Sequence, residues 1–151
     1  MPLTAYRTWA LSELVTPAML NEQVRDNGNV LILGGGGFVI DGGGGVLTTG
    51  IAKGCLEVPY NCTLTAVRLF ADVAGNVVID IWKDTYANYP PVVGDSITAA
   101  AKPTLSAVNK SQDTTLTGWT TTFTAGDILY FNVDSVATIT WLLIALRVTR
   151  T

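Results

Sequence analysis

Gly75-Asn76-Val77-Val78-Ile79-Asp80-Ile81-Trp82-Lys83-Asp84-Thr85-Tyr86-Ala87-Asn88-Tyr89-Pro90-Pro91 is the stretch on which the reading of the fold turns. Val77 to Trp82 are β-branched or aromatic except for Asp80, which predicts a strand with Val77, Ile79 and Ile81 on one face. Gly75-Asn76, residues that take positive φ at low steric cost, predict a tight turn leading into it. At Asp84 the character changes, and Thr, Tyr, Asn and a proline pair exclude both a central strand and a helix. A buried strand therefore delivers an aromatic, polar loop to the surface.

The same grammar extends outward from residue 51. Candidate strands fall at 55–58, 63–71, 77–82, 96–100, 114–119 with 120–123, 127–133 and 138–149. Turn signals separate them at Pro59-Tyr60-Asn61, Lys102-Pro103, Ala125-Gly126-Asp127 and Asp134-Ser135. Leu129, Phe131 and Val133 face one way while Ile128, Tyr130 and Asn132 face the other. Short strands spaced this regularly predict a mainly β protein, a jelly-roll-like antiparallel β-sandwich. In the last strand Leu142, Ile144, Leu146 and Val148 form one apolar face, yet Trp141, Leu143 and Ala145 on the other are apolar too. Both faces need cover, so Trp141, Leu143 and Ala145 are the candidate oligomer interface.

Upstream, Thr16 is a good N-cap, Pro17 sits where helices accept proline, and Leu20 and Val24 lie one turn apart before an Asn27-Gly28 stop. This predicts a short helix preceded by an extended arm carrying Tyr6 and Trp9. Two tetraglycines, Gly34 to Gly37 and Gly42 to Gly45, flank Phe38-Val39-Ile40-Asp41. No Gly-Lys-Ser/Thr follows and the strand-helix context of a dinucleotide site is missing, so a connector or a tightly packed ribbon is expected there.

Composition narrows the chemistry. The chain has 151 residues, 48% hydrophobic and only 14% charged, with a net charge of -3. That is short of the roughly one quarter charged in ordinary soluble domains, and it supplies no basic stripe for nucleic acid or an anionic membrane. No targeting or spanning segment is expected, since the apolar runs fall short of about 20 residues. With no histidine, a Ser-His-Asp triad, a Cys-His pair and a histidine-ligated zinc are excluded, and no metal or other cofactor is expected. Cys55 and Cys62 flank a turn, leaving a hairpin disulfide or two reduced thiols open. Asp80 and Asp84 are the carboxylates available for glycoside hydrolysis, against the plainer reading as solvated turn or strand-edge residues. Trp82, Asp84, Tyr86, Asn88 and Tyr89 form the candidate ligand loop, suited to stacking on a sugar or equally to plugging a sandwich end.

The opening, Tyr6-Arg7-Thr8-Trp9, Glu13-Leu14-Val15-Thr16-Pro17-Ala18-Met19-Leu20-Asn21 and Val24-Arg25-Asp26-Asn27, resembles the first segment of many tailed-bacteriophage virion proteins. Glu57-Val58-Pro59, residues 80–91, Lys102-Pro103-Thr104, Gly118-Trp119, Ala125-Gly126-Asp127, Asn132-Val133-Asp134-Ser135 and Leu146-Arg147-Val148 are similar to a β-rich domain of phage tail-fibre-like proteins. Related openings carry their helix past the position of Asn27, and no shaft repeat is present here. The resemblance implies a non-enzymatic virion subunit, made in the bacterial cytoplasm and commonly a homotrimer. It would attach through Tyr6, Trp9, Leu20 and Val24 to other virion proteins and face host polysaccharide. The implied organisation is an arm and attachment helix over 1–33, a glycine-rich connector over 34–50 and a β-sandwich over 51–151. Capsid decoration or a head fibre is the alternative within that class; a carbohydrate-binding module or depolymerase is the alternative outside it.

Overall fold

The computed structural model describes residues 16–20 and 35–151. Tyr6, Trp9 and Val24 lie outside the described residues, and Leu20 ends a single helical turn, α1 (Pro17–Leu20). The rest of the expected helix lies outside the described residues as well.

From residue 36 the chain is mainly β, and every strand pairing is antiparallel. The strands are β1 (Gly36–Asp41), β2 (Gly50–Ile51), β3 (Leu56–Glu57), β4 (Cys62–Asp84), β5 (Thr104–Asp113), β6 (Thr122–Phe123), β7 (Ile128–Ala137) and β8 (Trp141–Arg150). They make one curled sheet in the order β1-β8-β4-β7-β2, with β3 on β7 and both β5 and β6 on β4.

β4 organises the rest. Its 23 residues would span about 75 Å if straight, roughly twice the width of a domain this size, so it has to bend. The bend falls between Phe70 and Val77, where the register with β5 shifts on either side of Gly75. Gly75 is therefore a bend inside one strand and not the entry turn expected from sequence. What it supplies is close approach: a Cβ there would stand 2.5 Å from Thr138 Oγ1 and 2.7 Å from the Ala137 carbonyl oxygen. β5 bends with it, and Asn76 Oδ1 accepts the Ala107 N–H at 2.8 Å, where Ala107 takes a φ of 55°.

The bend brings both halves of β4 onto one core. Leu64, Val67 and Leu69 come from the first half, which pairs with β8, and Val77, Ile79 and Ile81 come from the second, which pairs with β7. Leu129, Phe131 and Val133 of β7 and Leu142, Ile144 and Leu146 of β8 complete the core with Leu105, Trp119 and Phe123. The alternation read in β7 and β8 is thus what buries them.

Other elements differ from expectation. Residues 96–100 make only a bridge between Ser96 and Trp82 before Ala99 turns with a φ of 48°. Residues 114–119 form a loop because the Asp113 carboxylate takes the Thr115 and Leu116 N–H groups at 2.8 and 3.1 Å, which competes with a strand ladder. β7 runs through Asp134-Ser135, and the reversal comes at Thr138, with a φ of 69°. Part of the glycine segment expected as a connector is strand: β1 pairs with β8 from Gly36–Leu146 to Asp41–Trp141. A Cβ on the preceding Gly35 would run into the Leu146 carbonyl oxygen. Cys55 is exposed and Cys62 buried, and both are free thiols.

Candidate functional site

The end of β4 positions the aromatic loop. Asp84 Oδ1 accepts the Thr85 N–H at 2.7 Å and Asn88 Nδ2 at 3.1 Å, closing a 3-10 turn over Tyr86–Asn88. These two bonds, the backbone one first, hold the Asp84 carboxyl below its usual range. Tyr86 is 85% exposed. Tyr89 is half-exposed and is fixed edge-on to Tyr130, with ring centroids 5.8 Å apart and the Tyr130 hydroxyl donating to Tyr89 Oη at 2.7 Å. That bond pushes the Tyr130 phenol up to about 12. Past the buried Pro91, Asp95 Oδ2 accepts the Val92 N–H at 2.8 Å, closing a second 3-10 turn, and Ile97 N–H bonds to the Ile81 carbonyl at 2.9 Å.

Trp82 does not share that surface. It is 7% exposed, and its indole N–H is buried without a hydrogen-bond partner of good geometry. Tyr86, Tyr89, Asp84 and Asn88 of the sequence-predicted loop do come together, and the structure adds Tyr130 from β7.

Asp80 has a different environment. It is 2% exposed and accepts the Ser96 hydroxyl at 2.6 Å and the Thr98 hydroxyl at 2.7 Å on Oδ1. Lys102 Nζ sits 3.0 Å from its Oδ2 and 2.6 Å from Asp134 Oδ2, and Asn132 Nδ2 donates to Asp134 Oδ1 at 2.7 Å. Burial alone would push the Asp80 carboxyl up. The two hydroxyls and Lys102 outweigh it, and the net shift is downward. Four residues of extended strand also put the Asp80 and Asp84 backbones about 13 Å apart, and of the two only Asp84 reaches solvent. Asp80 pins residues 96–102 onto the outer face of the sheet. The signal in the sequence was a lone aspartate in an aliphatic strand; its partners Ser96, Thr98 and Lys102 all come from the one segment it pins.

The other candidate surface is the outer side of β8. Leu142, Ile144 and Leu146 are buried, whereas Trp141, Leu143 and Ala145 are half-buried. The register puts Leu143 between Val39 of β1 and Phe70 of β4, and Ala145 between Gly37 and Arg68. Val39 is 48% and Phe70 37% exposed, so an apolar row crosses three strands. Arg68 Nε donates to Gln112 Oε1 at 2.7 Å on its border. Val39 and Phe70 were not identifiable as part of this surface from sequence, since register is not local.

Among the described residues no group of three or more Cys, Asp or Glu side chains could hold a metal ion, and no helix is long and apolar enough to cross a membrane. Compared with protein-family models, with curated proteins and with solved structures, the chain matches none.

Proposed function

We propose that this chain is a non-enzymatic structural subunit of a tailed-bacteriophage virion, of the tail or tail-fibre type. In this reading the arm with Tyr6, Trp9, Leu20 and Val24 anchors the subunit to other virion proteins. The β domain is a jelly-roll-like sandwich, a view supported by the bend that brings both halves of β4 onto one core. It assembles as a homotrimer and turns the aromatic loop towards the host surface.

The observation that carries the reading is the apolar row Val39–Leu143–Phe70 on the outer side of a sheet whose inner side is already filled. Burying such a row contributes about 25 cal/mol per Å² removed from water, a gain an isolated subunit forgoes. The sequence resemblance supplies the setting.

The test is immunogold labelling of purified particles of the encoding phage, together with a deletion of residues 1–27. Labelling at the tail that disappears with the deletion is expected. Labelling distributed over the capsid would transfer the subunit to the decoration class, and unlabelled particles would end the structural reading.

A further inference from the structure

We propose that the tip formed by residues 84–95 binds a neutral glycan, with the Tyr86 ring as its stacking platform. The inference rests on the reading of this loop as the host-facing part of a virion subunit and adds the class of ligand.

Exposure is the first ground. Tyr86, Tyr89, Val92 and Val93 all face solvent within one short stretch. An aromatic ring left this open has an apolar face without a partner, and the C–H face of a pyranose matches it.

Rigidity is the second. Both turns of the tip are closed by carboxylates, Asp84 on Thr85 and Asn88, and Asp95 on Val92. Tyr89 is tied to Tyr130. The backbone that carries Tyr86 is therefore set before a ligand arrives, and binding has only the Tyr86 side chain left to order.

Charge is the third, and it selects the ligand. Residues 84–101 contain no lysine or arginine. The cations on either side are engaged, Lys83 with Asp127 at 2.8 Å and Lys102 with Asp80 and Asp134. The carboxylates of Asp84 and Asp95 accept only, so the lone pairs the turns leave free suit a hydroxyl donor, and their charge repels uronic acids, phosphates and anionic lipid. A neutral sugar offers both the hydroxyl and the apolar face.

The test applies the full-length protein to a printed array of neutral and acidic bacterial surface glycans, beside Tyr86→Ala and Tyr86→Phe. Tyr86 is exposed, so both variants should keep the wild-type melting temperature. Expected are binding confined to neutral glycans, a loss of about tenfold in Tyr86→Ala, and little change in Tyr86→Phe. Binding to acidic glycans, undiminished binding by Tyr86→Ala, or no binding to any glycan would overturn the inference; the last is the result if the tip docks on a protein. Particle labelling reads separately: a labelled virion whose subunit ignores glycans sinks only this inference, and glycan binding by a protein absent from particles sinks only the structural role.

Discussion

Replacing Gly75 with alanine tests the organisation of the sheet at its most constrained point. The added methyl would stand 2.5 Å from Thr138 Oγ1, 2.7 Å from the Ala137 carbonyl oxygen and 2.8 Å from Ile139 Cγ1. The threonine rotor can swing away, but the carbonyl belongs to the end of β7 and can yield only if the β7–β8 turn moves. Overpacking of this kind costs up to about 3 kcal/mol. Alanine returns about 0.4–1 kcal/mol by restricting the unfolded chain, which leaves a net loss of about 2 kcal/mol. For a folded unit of roughly 120 residues the unfolding entropy is about 250 cal/mol/K, so the melting temperature should fall by about 8 °C. Gly94→Ala is the matched control, since nothing lies within 4 Å of a Cβ there. Scanning calorimetry of the two variants decides it. A Gly75→Ala protein melting within about 1 °C of wild type would refute the claim that backbone proximity makes the bend in β4.

Asp80→Ala should cost about 1–3 kcal/mol in urea unfolding, because Ser96 and Thr98 lose a buried acceptor and Lys102 one of its two carboxylates. The folded-state pKa of Asp80 is lowered, so its contribution is complete above the ordinary aspartate range and is lost as pH falls through the lowered value. Asp80→Asn should flatten that acid limb of the stability profile, and an unchanged limb would count against the assignment. Tyr89→Phe should bring the Tyr130 phenol down from about 12 towards its ordinary value of 10.0 in an ultraviolet titration, since the acceptor of its hydroxyl is removed. Cys55 should react with a thiol reagent in the native protein while Cys62, buried and pushed up by that burial, reacts only on unfolding; equal rates would contradict the packing around β4.

Much of the core was legible before the structure, for a local reason. In β7 and β8 the alternation of aliphatic residues is itself the burial pattern, so Leu129, Phe131, Leu142 and Ile144 could be placed by period alone. β5 was not legible: Thr104–Asp113 reads Thr-Leu-Ser-Ala-Val-Asn-Lys-Ser-Gln-Asp, buries only Leu105, and owes its strand to the partner beside it. Gly75-Asn76 has the composition of a hairpin turn, and only the approach of Ala137 and Thr138 reveals a bend. The loop around Tyr86 was readable from the proline pair and the aromatics. Tyr130 and the Lys102–Asp134 pair were not, because strand register and cross-chain ion pairs depend on the whole topology. The same holds for Val39 and Phe70, which become neighbours of Leu143 only through two pairings far apart in sequence.

In the proposed assembly the outer row of β8 is covered by other copies of this chain, and the native mass of the full-length protein is the measurement to make. Light scattering across a dilution series, run beside Leu143→Asp, should give three chains for the wild type and one for the variant, with the variant's β-sheet circular dichroism intact. A wild-type protein that is monomeric at every concentration would contradict the account, since the Val39–Leu143–Phe70 row would then belong to the open surface of a lone subunit.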